Sequence, residues 1–157
     1  QLVIRQLQKY LQEGDQVLDV GCGSGILSIV ALKLGAQHVV GTDIDEDCIA
    51  SSYDNFAVNH LDKSLGDFYV GNLIDDEALQ DKVGKEKYDV VVANILADII
   101  IPMAPALAAS MKPGAKLITS GIIDFKEQEV ADALIAAGLQ VVESNAQGEW
   151  RNITACK

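Results

Sequence analysis

Two hydrophobic periods alternate along this chain. Leu2, Val3, Leu7, Tyr10 and Leu11 recur at helical spacing, and Glu13-Gly14-Asp15 stops that run. "QVLDV" (16–20) is a short apolar run that predicts a buried strand. Helical spacing returns from Ile26 to Leu34 and ends at Gly35. "HVVGTD" (38–43) predicts a second strand, Asp47 to Leu61 a helix, and "DFYVG" (67–71) a third strand. Leu73 to Lys87 is polar and charged and predicts a loop, with room for one helical turn. "YDVVVAN" (88–94) is strongly β-branched and predicts a fourth strand. Ile95 to Met111 is helical in period, with Pro102 and Pro105 expected to kink or interrupt it. Lys112-Pro113-Gly114 predicts a turn and "AKLITSG" (115–121) a fifth strand. Phe125 to Ala137 predicts an amphipathic helix closed by Gly138. "LQVVESN" (139–145) and "RNITACK" (151–157) read as two strands joined through "AQGEW".

Four β-to-α alternations imply parallel strands, right-handed crossovers and helices on both faces of the sheet. No helix separates the last two strands, so they predict an antiparallel hairpin at one edge. The expected fold is α/β: a doubly wound, seven-stranded, mostly parallel sheet with a reversed last strand, in one domain spanning 1–157. No repeat, low-complexity tract or linker interrupts it.

Composition narrows the partners. The 157 residues suit one domain with a real core. Lys and Arg total 12 against 23 Asp and Glu, a net charge of −11. That balance argues against direct nucleic-acid binding, which needs a basic face, and suits a small-molecule site or a basic protein partner. Cys22, Cys48 and Cys156 are odd in number, widely spaced and without a CxxC pair, so neither a disulfide framework nor a metal site is expected. The chain opens without a signal peptide and holds no apolar run long enough for a membrane span, which predicts a cytoplasmic protein.

The chemistry concentrates at "VLDVGCGSG" (17–25). A strand, a glycine turn and a helix place a ligand at the carboxyl end of the sheet. The dinucleotide fingerprint wants its third glycine three residues after the second; here Gly21, Gly23 and Gly25 stand at alternate positions, and Ile26 holds the expected glycine place. No Gly-Lys-Ser/Thr follows, so the turn is not a P-loop. Asp19 precedes the turn, where a carboxylate repels a pyrophosphate and suits a cation. Asp43 ends the second strand, where an acid accepts hydrogen bonds from ribose hydroxyls. Asp45 is a second candidate, or a helix cap; Ser24 either donates to the ligand or, the preferred reading, caps the helix after the turn. The free N–H groups of that helix suit a carboxylate. Ribose, an amino acid head, a cation and no phosphate describe S-adenosylmethionine.

At these residues the chain resembles the class I S-adenosylmethionine-dependent methyltransferases. In that fold the fourth strand's exit faces the transferable methyl group, and here it reads "VVVANILAD" (90–98). Many amino-group methyltransferases carry Asn-Pro-Pro-aromatic at this place; Asn94-Ile95-Leu96 departs from it. With "GCGSGILSI", "GTDID", "VVANILA" and "EWRNITACK", the whole chain resembles the ribosomal protein L11 methyltransferase family. The resemblance implies a protein lysine N-methyltransferase acting on a basic ribosomal protein, as a monomeric catalytic domain whose N-terminal substrate-recognition partner lies outside this sequence. It implies Asn94 as the residue that orients the accepting amine. It implies Asp19, Gly21, Cys22, Gly23, Gly25, Asp43, Ile44, Asn72 and Asn94 as the cofactor-binding set. Asn72 either faces the adenine amino group or only shapes its turn; Trp150 either shapes the amine pocket or packs the hairpin. Methylation of a glutamine amide or nucleic-acid base, a non-catalytic cofactor-binding scaffold and a nicotinamide-dependent oxidoreductase are the competing readings.

Overall fold

A computed structural model describes all residues, 1–157. Its elements run α1 (Leu2–Tyr10), β1 (Gln16–Val20), α2 (Ile26–Lys33), β2 (His38–Asp43), α3 (Glu46–Val58), β3 (Gly66–Val70), α4 (Glu77–Val83), β4 (Tyr88–Asn94), α5 (Ala97–Ser110), β5 (Met111–Ile123), α6 (Glu127–Ala136), β6 (Gln140–Gln147) and β7 (Trp150–Cys156). The sheet order is β3-β2-β1-β4-β5-β7-β6. β7 alone is antiparallel to its neighbours β5 and β6. The doubly wound sheet with a reversed last strand is therefore present as expected.

Strand alternation sorts the core into two layers. Val17, Val39, Val90, Val92 and Ile118 face α1, α2 and α3, where Leu7, Ile29 and Phe56 meet them. Leu18, Val20, Val40, Val91 and Leu117 face the other side, against Leu79 and Val83 of α4, Ile100 and Leu107 of α5, and Val130 and Leu134 of α6. Both faces are covered, which is why β1 and β4 read as continuous apolar runs instead of alternating ones.

Three expectations need correction. The 73–87 segment holds α4, a helix of 7 residues, rather than a loop with a single turn. Asp76 caps it, accepting from Leu79 N–H at 3.0 Å, and Leu79 and Val83 are its only buried residues. So few apolar positions leave no readable period in a charged run. Second, α5 runs unbroken from Ala97 to Ser110 through both prolines. Pro102 and Pro105 lie exposed, so the carbonyls they leave unpaired face water, while Ile100, Met103, Ala104 and Leu107 hold the opposite stripe in the core. Third, Lys112-Pro113-Gly114 is not a separate turn before the fifth strand. It is an irregularity inside β5: Tyr88 pairs with Met111 and Val90 with Lys116, and Gly114 takes φ +81° within the excess length.

Tyr88 anchors the start of β4. Its ring is fully buried, and its hydroxyl donates to the Val83 carbonyl at 2.6 Å. Burial pushes the phenol well above its ordinary value. Tyr88→Phe is expected to leave that carbonyl without its partner and to cost about 1 kcal/mol in urea denaturation. A loss below about 0.3 kcal/mol would mean that water replaces the bond.

The order β2-β1-β4 reverses winding between β1 and β4. A crevice opens at the carboxyl ends of strands on either side of such a reversal. The residues that leave β1 and β4 at that point are Gly21 and Asn94.

Candidate functional site

The turn after β1 is held to the end of β2 by backbone bonds. Gly21 and Cys22 both donate to the Thr42 carbonyl, at 2.8 and 3.0 Å, and Gly25 N–H donates to the Cys22 carbonyl at 2.8 Å. Gly21, Gly23 and Gly25 all take positive φ, and Gly25 begins α2 in the left-handed region. Gly21 is the tightest: a Cβ there would stand 2.3 Å from Ile95 Cγ2. The turn after β1 and the exit of β4 therefore meet with no room for a side chain between them.

Asp43 leaves β2 beside this turn. Its Oδ2 accepts from Gly23 N–H and its Oδ1 from Asp45 N–H, both at 3.0 Å. Each oxygen keeps a lone pair for a further donor. Asp45 is the N-cap of α3, accepting from Asp47 N–H at 2.9 Å, which leaves Asp43 as the acid of the crevice.

Asp19 has a different place from the one its position in the motif implied. It is 1% exposed and lies beneath the glycine turn, off the crevice wall. Its Oδ2 accepts from Ser28 N–H at 3.1 Å and Ser28 Oγ at 2.7 Å. Ser28 is in the first turn of α2, so Asp19 caps that helix from the preceding strand. The cap expected of Ser24 is absent: α2 has Gly25 at its N-cap and no capping side chain there. Asp19 Oδ1 is buried without a partner. Burial, opposed by the Ser28 bonds and reinforced by the Asp43 charge, pushes its carboxyl up to about 6.

That shift has a signed consequence. The folded chain holds the Asp19 proton more tightly than the unfolded chain, whose carboxyl sits at its ordinary value of 3.8. The stability contribution is complete below about pH 4 and falls as pH rises through about 6, by about 3 kcal/mol. Asp19→Asn removes the titration. Urea denaturation is expected to show the unsubstituted chain losing about 2–3 kcal/mol relative to this variant between pH 4 and 7. A difference between the two proteins that does not change with pH would refute the assignment.

Cys22 is buried, and burial pushes its thiol up to about 12. It is no nucleophile at neutral pH. Its Sγ packs 3.8 Å from Ser52 Oγ, which itself donates to the carbonyls of Gly23 and Cys48. Any part Cys22 plays toward a ligand is through its backbone.

Three hollows with shared lining residues lie along the carboxyl edge of the sheet. One of about 320 Å³ lies among Gly21, Asp43, Ile44, Asn72, Ile95 and Met103. It is mostly apolar, with a carboxylate and an amide at one side, as a nucleoside site is. Asn72 Oδ1 also accepts from Ile74 N–H at 3.0 Å, so it shapes its turn and faces the hollow at once. The second, about 380 Å³, shares Gly21 with the first and adds Cys22, Gly23, Ser24, Ile26 and Asn94. The third, about 400 Å³, shares Gln1, Asn94 and Ser120 with the second and adds Gly121, Gln147 and Trp150. Asn94 thus lines both the second hollow and the third. Its Oδ1 lies 3.4 Å from where a Gly121 Cβ would be, and Gly121 has φ +81°.

Sequence reasoning missed part of this lining. Leu73, Ile74, Ile99 and Met103 come from segments with no motif. Ser120 and Gly121 lie toward the carboxyl end of β5, and a glycine at a parallel strand's carboxyl end was the available signal. His38 pairs with Asp67 at the far end of β2 and His60 follows α3; neither lines these hollows.

Comparison with known proteins agrees with this geometry. The family model for ribosomal protein L11 methyltransferase (PrmA) matches residues 1–157. A ribosomal protein L11 methyltransferase of Agathobacter rectalis is 68% identical over 160 residues, covering 100% of this chain and 50% of the relative. One from Lachnospira eligens is 55% identical, covering 98% and 49%. The chain spans about half the length of these curated relatives. The crystal structure of ribosomal protein L11 methylase from Lactobacillus delbrueckii superposes with a TM-score of 0.87 at 30% identity, covering 98% of this chain and 76% of that one. A SAM-dependent methyltransferase from Aquifex aeolicus, 18% identical with a TM-score of 0.80, shares the fold. A match running from the first helix to the reversed last strand, through the glycine turn and the Asn94 exit alike, makes this chain a member of the ribosomal protein L11 methyltransferase family.

Proposed function

We propose that this chain is the catalytic domain of an S-adenosylmethionine-dependent protein lysine N-methyltransferase whose substrate is ribosomal protein L11, working in the cytoplasm. One observation carries the reading: hollows that share Gly21 and Asn94 lie side by side from Asp43 to Asn94 along the sheet's carboxyl edge. No helix is long and apolar enough to cross a membrane.

The residues present fit the cofactor. Asp43, with a lone pair left on each oxygen, accepts from ribose hydroxyls. Ile44 and Met103 offer apolar surface to adenine, and Asn72 offers an amide at its edge. The backbone at Gly21 and Gly23 gives the methionine end a wall without side chains. The carboxylates of Asp19 and Asp43 make the ground beneath that wall anionic, which favours a sulfonium and an ammonium over a phosphate. S-adenosylmethionine supplies an electrophilic methyl group.

The chain's own work is positional. Asn94 Oδ1 and the carbonyl beyond it accept hydrogen bonds from the incoming nitrogen and aim its lone pair. Little charge develops that was not there before, so alignment supplies most of the rate. An ammonium must lose a proton first, and no histidine lines the hollows to take it. A substrate segment seated over the hollow beside Trp150 shields the amine from solvent, which lowers its pKa and lets the proton pass to water as the segment settles.

Calorimetric titration of S-adenosylmethionine into the chain at about 100 μM is expected to give saturable heat. Absence of heat removes the cofactor assignment. Labelled methyl transfer to purified ribosomal protein L11, followed by acid hydrolysis, is expected to leave the label on methylated lysine; label that leaves as methylamine points to an amide instead.

A further inference from the structure

Three exposed apolar side chains stand on segments that the fold ties together beside the third hollow. Phe125 is 72% exposed and Leu96 64%; Trp150, which also lines the hollow, is 48% exposed. Leu96 follows β4, Phe125 follows β5, and Trp150 opens β7 at the β6–β7 hairpin. The segments are tied together. Lys126 Nζ lies 3.3 Å from Asp98 Oδ1, and Asp124 N–H donates to the Glu149 carbonyl at 2.8 Å. One exposed apolar side chain needs no explanation, but three on segments tied to one another mark an interaction surface. The same segments carry Asp98, Asp124 and Glu149 against Lys126, which is engaged by Asp98 and Glu129, and Arg151, which is engaged by Glu127. The patch is therefore apolar at its centre and anionic at its rim, on a chain of net charge −11.

We infer that this patch docks the substrate polypeptide beside its target lysine, and that it selects segments in which apolar and basic residues flank that lysine. The inference rests on the proposed methyl-transfer site and adds the sequence context that the site accepts. A lysine reaches Asn94 by its four-carbon stem alone. The backbone carrying it must cross the rim, so its neighbours lie against Leu96 and Phe125. An apolar centre with a polar rim is the ordinary anatomy of a protein interface. The acidic rim orients a basic segment and repels an acidic one.

The test uses four labelled 11-residue peptides with one central lysine, flanked by Arg and Leu, Arg and Ser, Glu and Leu, or Glu and Ser. Anisotropy is read with S-adenosylhomocysteine present, against the unsubstituted chain and Leu96→Ser/Phe125→Ser. The Arg/Leu peptide is expected to bind about tenfold tighter than Glu/Leu in 50 mM salt, with the gap narrowing in 300 mM. The double substitution is expected to weaken Arg/Leu about tenfold and Arg/Ser less than about twofold. S-adenosylhomocysteine affinity stays unchanged, since neither residue lines the three hollows. Equal affinity of both proteins for Arg/Leu, or no peptide binding by either, overturns the inference. So does a substitution that converts dimer to monomer by light scattering, because the patch then belongs to a second copy. Failure of the calorimetric titration would instead count against the cofactor reading, so the two failures are distinct.

Discussion

Gly21→Ala is expected to abolish measurable cofactor binding and to destabilise the chain by about 2–5 kcal/mol. Two costs combine. A φ of +71° strains any residue with a Cβ, by roughly 1–2 kcal/mol. The new methyl would also stand 2.3 Å from Ile95 Cγ2, and overpacking of that kind adds roughly 1–3 kcal/mol. Ile95 cannot retreat without consequence, because it lines the nucleoside hollow and follows Asn94. The melting temperature is expected to fall by roughly 5–15 °C. Affinity is expected to fall by at least about a hundredfold, the equivalent of about 3 kcal/mol. Gly14→Ala is the control: φ is +89°, but nothing lies within 4 Å of the added carbon and the site is remote. It should show the strain without the loss of affinity. Equal effects in calorimetry and thermal denaturation for both variants would show that the Gly21–Ile95 approach is irrelevant to the site.

Asn94→Ala is expected to slow labelled-methyl transfer to ribosomal protein L11 by roughly a hundredfold or more, while calorimetric cofactor affinity changes less than about threefold. The asymmetry follows from where Asn94 stands. It ends β4 in register with Ser120, exposed, and lines both the second and third hollows. The nucleoside hollow does not include it. Removing its amide leaves the turn, Asp43 and the apolar lining in place, and deletes the acceptor that aims the amine. A rate that survives along with cofactor affinity would end the role given to Asn94. Loss of both would show that Asn94 is part of cofactor binding first.

The site was legible where chemistry forces spacing. Alternate glycines, an acid ending the second strand and an Asn ending the fourth are local signals, and the structure brings Gly21, Asp43, Ile44, Asn72 and Asn94 to adjoining hollows. Asp19 was legible as important but not as buried. Its partner, Ser28, is nine residues on, and only the packing of α2 on β1 turns a motif acid into that helix's cap. Ser24 looked like the cap for the same reason in reverse: local sequence proposes it, and Gly25 in the left-handed region forbids it. The helix α4 and the continuity of α5 were illegible because neither follows from propensity. Two buried side chains secure the first, and the second depends on which face meets water.

By itself the sequence determined the succession of elements, the parallel sheet with its reversed last strand, and a glycine turn whose spacing is neither that of a dinucleotide fingerprint nor that of a P-loop. These follow from hydrophobic period, crossover handedness and glycine spacing, which act locally or on connectivity alone. Tertiary structure decided what those rules leave open. It set Gly21 against Ile95, placed Asp19 under the turn instead of on the wall, and set three hollows side by side with Gly21 and Asn94 shared between them. It also gathered Leu96, Phe125 and Trp150 on segments tied to one another. Each of these is a contact between distant segments, fixed by strand order and register, and no periodicity along one segment encodes where another will lie.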